Sequence, residues 1–139
     1  MIVLDSSAGI QMALGSPEGE GLKKLLLQGE KKVASALYPI EVANAFWKYV
    51  RAGRMSVALA KELIDRTNQI PDAFVPLSEN TEEAFAAACR YDHPIYDMLY
   101  LTLARRYDAI LYTLDKRLQQ KCIEAHVNCI QVMDLPPAE

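Results

Sequence analysis

Four acidic residues of this chain stand where an apolar run gives way to a helical pattern. Asp5 follows "MIVL" and Asp115 follows "AILYTL", while Glu41 and Asp97 lie in the first turns of "PIEVANAFWKYV" and "PIYDMLYLTLA". A carboxylate at the start of a helix caps free N–H groups and suits the helix dipole. Taken singly, Asp5, Glu41 and Asp115 therefore have a simple structural explanation.

Asp97 is harder to explain in this way. Its helix is apolar almost all the way round, and the residues at i+3, i+4 and i+7 are Tyr100, Leu101 and Ala104, none of which is a cation. Burying an unpaired carboxylate is costly. We therefore expect Asp97 to find its partner on another element.

The elements that carry these acids alternate between short apolar runs and helical patterns. This alternation predicts one α/β domain with a central parallel sheet of about four or five strands. The carboxyl ends of parallel strands lie at one edge of the sheet, where ligands of open α/β sheets bind, so the four acids should meet there. The predicted strands are 1–4, 32–35, 74–77, 109–114 and 129–135, and the predicted helices are 5–15, 21–30, 39–53, 56–70, 80–92, 94–108 and 115–126, with 15–21 as a loop.

Four carboxylates brought together would repel one another, and a divalent cation removes that repulsion. Oxygen ligands suit Mg²⁺ or Mn²⁺, which keep several waters for substrate phosphates. Zinc is not expected, because His93 and His126 are isolated and the pair formed by His126 and Cys129 lacks further ligands. Isolated histidines of this kind are more often structural or solvated.

Polar companions accompany the acids. Ser7 is placed to donate a hydrogen bond to Asp5, and Thr113 points to the same side of its strand as Asp115. On one helix stripe, Asn44 could orient a carboxylate or a metal-bound water. Lys48, on the same stripe, could meet a phosphate. The hydroxyls could equally be ordinary cap groups, and Lys48 a solvated side chain.

Composition narrows the class of protein. The 139 residues, 51% of them hydrophobic and 24% charged, fit one ordinary soluble domain. No apolar run approaches the roughly 18 residues that a membrane span needs. The N-terminus lacks the basic region of a secretory leader, and three cysteines without a CxxC pair predict buried or partly buried thiols in a reducing cytoplasm. The net charge of −3 weakens a nucleic-acid interpretation unless bound cations change the local charge.

The segments "MIVLDSSA", "YPIEVANAFWK", "YDMLYLTLA" and "LYTLDKRL", in this order and spacing, resemble the PIN-domain ribonucleases. More narrowly, they resemble the VapC-type toxins of prokaryotic toxin–antitoxin pairs. The resemblance covers 1–133 as a single PIN-like three-layer α/β/α domain and leaves 134–139 as a short tail. Two departures stand out. Met98 replaces a small residue, and Lys116, Arg117 and Leu118 occupy the region where some members carry a further acid.

The resemblance implies a metal-dependent endoribonuclease that hydrolyses RNA phosphodiester bonds. Asp5, Glu41, Asp97 and Asp115 would hold one or two Mg²⁺ or Mn²⁺ ions, Ser7 and Thr113 match family hydroxyls, and Lys116 and Arg117 are candidates for phosphate contact. Because the further acid is missing, the resemblance does not decide whether a second ion binds. The resemblance also implies a cytoplasmic protein and a homodimer.

A cognate antitoxin is the expected protein partner of such a toxin. We expect it to use apolar residues of 10–27 and 42–64, such as Ile10, Met12, Leu26, Phe46 and Leu63. The alternative is a PIN-like domain that acts mainly as a protein- or RNA-binding module. A phosphatase with an aspartyl nucleophile is disfavoured because "DSSAG" lacks a second acid, and no GxGxxG or P-loop motif is present.

Overall fold

A computed structural model of the chain describes residues 1–26 and 28–130. Four parallel strands form one sheet in the order β3-β2-β1-β4, so the first strand is central. The strands are β1 (Ile2–Leu4), β2 (Lys32–Ser35), β3 (Ala73–Val75) and β4 (Ile110–Tyr112). The helices are α1 (Ser6–Leu14), α2 (Pro17–Leu25), α3 (Tyr38–Arg51), α4 (Val57–Asn68), α5 (Thr81–Tyr91), α6 (Ile95–Tyr107) and α7 (Lys116–Ala125).

The predicted α/β/α architecture with a parallel central sheet is confirmed. Helix α6 packs against strands β1, β2 and β4, and α5 packs on α6, whereas α1, α3 and α4 pack on one another. The seven consecutive buried residues from Met98 to Ala104 explain why the α6 sequence is apolar all round. This helix is part of the core and has no solvent face over that stretch.

The predicted fifth strand, 129–135, is only partly within the described residues. Cys129 forms an isolated parallel bridge with Leu111, and the backbone N–H of Ile130 donates to the carbonyl of Leu111 at 3.1 Å. The chain therefore begins to run beside β4. The rest of that strand and the predicted tail at 134–139 lie outside the described residues.

The predicted loop at 15–21 is wrong. Helix α2 begins at Pro17, and the Ser16 hydroxyl caps it by accepting from the N–H of Gly19 at 3.1 Å. The glycines within 15–21 favoured a loop, but Gly19 lies within α2 and allows this helix to pack closely on α1. A Cβ at Gly19 would lie 2.0 Å from the backbone oxygen of Gln11, so α1 and α2 approach this closely only because the side chain is missing. The helix then ends at Leu25, earlier than predicted.

Two smaller expectations are also corrected. Cys89 is exposed, although all three cysteines were expected to be at least partly buried. Most of the side chains expected to meet an antitoxin lie in the hydrophobic core instead, because they are on the inward faces of their helices. The buried ones are Ile10, Met12, Phe46 and Leu63, and Leu26 is half-buried against the same core. None of the helices in the described residues has the length and apolarity that crossing a lipid bilayer requires.

Candidate active site

Asp5 forms the floor of the site, directly after the central strand β1. It caps α1 by accepting from the N–H of Ala8 at 3.0 Å, and the Ser7 hydroxyl donates to the same Oδ1 at 2.7 Å. The Thr113 hydroxyl, arriving from the end of β4, donates to Oδ2. Both oxygens of Asp5 are thus bonded, and the hydrogen bond predicted from Ser7 is observed.

Burial has the largest influence on the pKa of Asp5. Asp5 is only 4% exposed. Desolvation raises the pKa of the Asp5 carboxyl to about 7, although its three hydrogen bonds oppose the rise and the charge of Asp97 adds to it. The side chain is therefore balanced between its neutral and charged forms near neutral pH.

Glu41 approaches from the first turn of α3. Its Oε1 accepts from the Tyr100 hydroxyl at 2.7 Å and from the Ser6 hydroxyl at 3.2 Å. Burial raises the pKa of Glu41, hydrogen bonds from Tyr100 and Ser6 oppose the rise, and the charge of Asp97 adds to it. Burial and the neighbouring Glu41 raise the pKa of Tyr100 well above its ordinary value, so its hydroxyl stays a donor. Tyr100 is a site residue that the sequence reasoning did not identify.

Asp97 has a partner that the sequence reasoning missed. Its Oδ2 lies 2.6 Å from Nε2 of His93, and because a carboxylate only accepts, the ring N–H is the donor. His93 is 6% exposed and follows the left-handed residue Asp92, which ends α5. The sequence does contain a signal for this pair, because His93 and Asp97 are four residues apart. Pro94 lies between them and precedes the helix, so His93 was not counted among the residues on the helix face of Asp97.

Asp115 joins the site less directly. Its Oδ1 caps α7 by accepting from the N–H groups of Arg117 at 2.9 Å and Leu118 at 3.2 Å. Its own N–H donates to the Thr113 hydroxyl at 3.1 Å, which connects it to Asp5 through one side chain. The structural capping explanation therefore applies to both Asp5 and Asp115, as the sequence allowed.

The acids share one edge of the sheet without forming a preformed cage for a metal. Among residues 1–26 and 28–130, no three His, Cys, Asp or Glu side chains are arranged so that they could hold an ion. N–H and O–H donors stabilise the carboxylates instead. The donor chemistry still fits a hard cation, because Oε2 of Glu41, Oδ1 of Asp97 and Oδ2 of Asp115 accept no hydrogen bond from a described residue.

Two grooves border these acids. The first, which we call the α3 groove, has a volume of about 540 Å³ and is lined by Ser7, Glu41, Asn44, Lys48, Tyr49 and Arg54, among others. The second, the α7 groove, has a volume of about 350 Å³ and is lined by Asp92, His93, Lys116, Arg117, Gln120 and Lys121. Each predicted phosphate ligand therefore lies in a groove beside the acids.

No contact supports the predicted role of Asn44 as a group that orients a carboxylate of the site. Asn44 is exposed in the α3 groove, and its side chain makes no hydrogen bond to a carboxylate of the described residues. Arg54 and Lys121 lie in the grooves but were not identified from the sequence. Nothing in their local patterns separates them from ordinary solvated cations.

Comparisons with known proteins agree with this architecture. The model of the family described as PIN domain matches residues 2–124. Ribonuclease VapC3 of Pyrobaculum aerophilum is 28% identical over 122 residues, which cover 86% of this chain and 93% of the relative. Ribonuclease VapC12 of Mycobacterium tuberculosis is 31% identical over 120 residues, which cover 86% and 91%.

Two solved structures share the fold. The crystal structure of PAE2754 from Pyrobaculum aerophilum has a TM-score of 0.71 at 24% identity and covers 86% of this chain and 84% of its own. The structure of VapBC-1 from nontypeable Haemophilus influenzae has a TM-score of 0.65 at 16% identity, with 96% and 99% covered.

Proposed function

Because the chain belongs to the PIN domain family, and within it to the VapC ribonucleases, we propose that it is an endoribonuclease and the toxin of a toxin–antitoxin pair. The observation that carries the proposal is the meeting of Asp5, Glu41 and Asp97 at one sheet edge. They lie close enough for the charge of Asp97 to raise the pKa of both others. Such like-charge coupling is a common mark of a functional site.

We further propose that the activity depends on Mg²⁺ or Mn²⁺, held as one or two ions by Asp5, Glu41, Asp97 and Asp115. A bound divalent cation would supply Lewis-acid chemistry, which polarises the phosphate and makes water a better nucleophile. The protein's own part is positional. Ser7 and Thr113 fix Asp5, Tyr100 fixes Glu41, and His93 fixes Asp97.

The reaction is hydrolysis of an RNA phosphodiester, in which water adds to phosphorus and the bond to one ester oxygen breaks. The acids carry the negative charge that must be neutralised before an RNA phosphate can approach. Lys48 in the α3 groove and Lys116 and Arg117 in the α7 groove are exposed and available for the neighbouring phosphates. None of these three forms an ion pair with another described residue.

The test is RNA cleavage by the purified chain with Mg²⁺ or Mn²⁺ and in EDTA. Asp97→Asn should abolish cleavage, because it removes a charge that a cation needs, while the amide still fits beside His93. Asp108→Asn is the matched control, since Asp108 lies on α6's C-terminal cap in a left-handed conformation that Asn also adopts. Cleavage by Asp97→Asn at the wild-type rate would exclude the proposed metal site.

A second candidate function is an RNA- or protein-binding module with little catalysis. The observation that favours it is the lack of a preformed metal arrangement among the described residues. The same experiment separates the two, because a binding module would bind RNA without cutting it in either divalent ion.

We propose a cognate antitoxin as the protein partner, and a homodimer on the family resemblance alone. Helices α3 and α4 expose four large apolar side chains that an antitoxin would cover: Ile40, Trp47, Val57 and Leu59. Trp47 and Val57 also line an apolar groove of about 180 Å³ between these helices. Induced expression alone should arrest growth, and co-expression of the neighbouring small reading frame should relieve it. Normal growth without a partner would contradict the toxin role.

A further inference from the structure

Two adjacent glutamines on α7 have opposite environments. Gln119 is 5% exposed, whereas Gln120 is exposed and lines the α7 groove. Gln119 shares the buried face of the helix with Leu118 and Cys122, which are apolar. A buried amide loses its hydrogen bonds to water and needs partners within the protein. The partner of the Gln119 amide therefore shows what this side chain does.

That partner is the backbone carbonyl of Thr113, to which Nε2 of Gln119 donates at 2.9 Å. Strand β4 ends at Tyr112, whose carbonyl accepts from the N–H of Asp5 at 3.1 Å, so the Thr113 carbonyl is the first one beyond the strand. In the part of the chain that the structure describes, no backbone N–H donates to it. Gln119 thus ties the end of β4 to a point one turn into α7.

The residue held by this bond lies at the centre of the hydrogen bonds on the floor of the site. The Thr113 hydroxyl donates to Oδ2 of Asp5 and accepts from the N–H of Asp115 at 3.1 Å. The N–H of Leu114 donates to the Ser7 hydroxyl at 3.0 Å. The carbonyl and the side chain of one residue belong to the same backbone unit, so a rotation that moves the carbonyl also moves the hydroxyl. The bond from α7 therefore controls where the hydroxyl lies.

The bond does not serve to start the helix. Asp115 already caps α7 by accepting from the N–H groups of Arg117 and Leu118. The Gln119 side chain instead reaches back out of the helix to the strand. A side chain that only filled the core at this position would need no donor, as the buried Leu118 and Cys122 on the same face illustrate.

We propose that Gln119 is a positioning residue for the acid site, which fixes Thr113 and, through it, Asp5 and Asp115. The Gln119 side chain forms no hydrogen bond with any of the four acids, and it touches neither cation nor RNA in this role. The proposal rests on the proposed metal-dependent ribonuclease function. It adds that the junction between β4 and α7 holds the floor of the site in place.

The first measurement is amide hydrogen exchange of the metal-free protein in EDTA, followed by NMR at Leu114 and Asp115. Their N–H groups bond to the Ser7 and Thr113 hydroxyls, so they report whether those contacts hold. Gln119→Met keeps the length of the side chain and removes the donor. Exchange at both amides should become about tenfold faster relative to exchange in β1, which is the effect of roughly one hydrogen bond on local opening.

Two controls separate positioning from stability. Gln120→Met makes the same substitution on the exposed neighbour, and no RNA is present, so its place in the α7 groove plays no part. Thr67→Val removes a buried hydroxyl that donates to the Leu63 carbonyl at 2.6 Å within α4, and it should destabilise the whole fold. Neither control should speed exchange at Leu114 and Asp115 relative to β1.

The second measurement is Mn²⁺ affinity by calorimetry. Gln119→Met should bind Mn²⁺ about tenfold more weakly, at the lower end of the range for groups that orient metal ligands, because it acts through Thr113. Gln120→Met and Thr67→Val should bind as the wild type does. A variant that loses only stability would bind with unchanged affinity once folded, so this readout separates the two roles.

Gln119→Glu tests the donor itself and serves if Gln119→Met does not fold. Its shape matches glutamine, and burial raises the pKa of such a carboxyl. A protonated carboxyl donates a hydrogen bond, and an ionised one only accepts. At pH 5.5, exchange at Leu114 and Asp115 should therefore match the wild type at the same pH, and at pH 8 it should be faster.

Wild-type exchange at both amides in Gln119→Met, or in Gln119→Glu at pH 8, would overturn the positioning role. Unchanged Mn²⁺ affinity in Gln119→Met would do the same, as would an equal loss of affinity in Thr67→Val. Failure of the proposed function gives a different result. A wild-type chain that neither binds Mn²⁺ nor cuts RNA would contradict the metal-dependent ribonuclease, while the exchange measurement, which needs no metal and no RNA, still decides what Gln119 holds.

Discussion

The carboxylate on the floor of the site, Asp5, is held differently from those on its walls, Glu41 and Asp97. On the floor, both oxygens of Asp5 are bonded within a buried network of Ser7, Ala8 and Thr113. On the walls, Glu41 and Asp97 each have one oxygen that accepts from side-chain donors and one that accepts nothing from the described residues. The floor is therefore a fixed part of the fold, while the walls hold carboxylates in place and leave them available to a ligand.

The supports also differ in their origin. Asp5 is held mainly by groups close in sequence or on the neighbouring strand. Glu41 depends on Tyr100, 59 residues away, and Asp97 depends on a histidine outside its own helix. Removing a wall support should therefore change ligand binding more than stability, whereas removing the charge of Asp5 should also change how stability depends on pH.

Among substitutions of the groups that hold the acids, the largest effect is expected from His93→Phe. Phenylalanine fills the buried space but donates no hydrogen bond, so Asp97 loses its orientation. Loss of a group that orients a metal ligand typically costs about 10–100-fold in metal affinity or activity. We expect that loss in Mn²⁺ affinity measured by calorimetry and in cleavage rate. His93→Gln, which keeps an N–H donor, should recover part of both, and equal values for the two variants would rule out a positioning role.

A smaller effect is expected from the floor, in the stability of the metal-free protein. The pKa of Asp5 is raised to about 7 in the fold, against roughly 3.9 in an unfolded chain. The folded state therefore binds a proton that the unfolded state has lost, and the stability gained at low pH disappears as pH rises through about 7. Glu41 shifts in the same direction.

In EDTA, the melting temperature should accordingly fall by about 4 °C between pH 6 and pH 8, the size expected from roughly 1.4 kcal/mol in a domain of this length. Asp5→Asn should remove most of this fall, because an amide does not ionise. Asp65→Asn changes an exposed acid on α4 and should keep the wild-type slope. A pH profile of Asp5→Asn that matches the wild type would contradict a buried, balanced carboxyl at this position.

The smallest effect is expected from Tyr100→Phe. Glu41 loses one donor and keeps Ser6, so a loss of about 1 kcal/mol, or a few-fold in cleavage rate, is expected. Tyr96→Phe makes the same change one turn earlier, on a side chain that is 59% exposed, and should have no effect. If both variants behave alike in cleavage assays, Tyr100 does not support Glu41.

The sequence was sufficient for the parts of the site that follow local rules. An acid after an apolar strand and an acid in a first helical turn predicted where Asp5, Glu41, Asp97 and Asp115 would lie. The order of strands and helices predicted the parallel sheet that brings their ends together. The Ser7 hydrogen bond followed from a separation of two residues. These features depend on strand and helix periodicity, which neighbouring residues determine.

Other features depended on groups that only packing brings together. The start of α2 was missed because Gly19 fits against the backbone of α1, a contact that no local pattern contains. The apolar residues expected to meet a partner proved to be core, since helix–helix packing decides which side of an amphipathic segment is covered. Helix packing likewise places Arg54 in the lining of the α3 groove.

The sequence by itself therefore determined the fold class, the four acids and their placement at one sheet edge, because periodicity and capping are local. Only the tertiary structure decided how each acid is held. His93 and Tyr100 became the supports of Asp97 and Glu41 because burial makes a hydrogen-bond donor necessary wherever a carboxylate leaves water, and the donor comes from whichever element packs there.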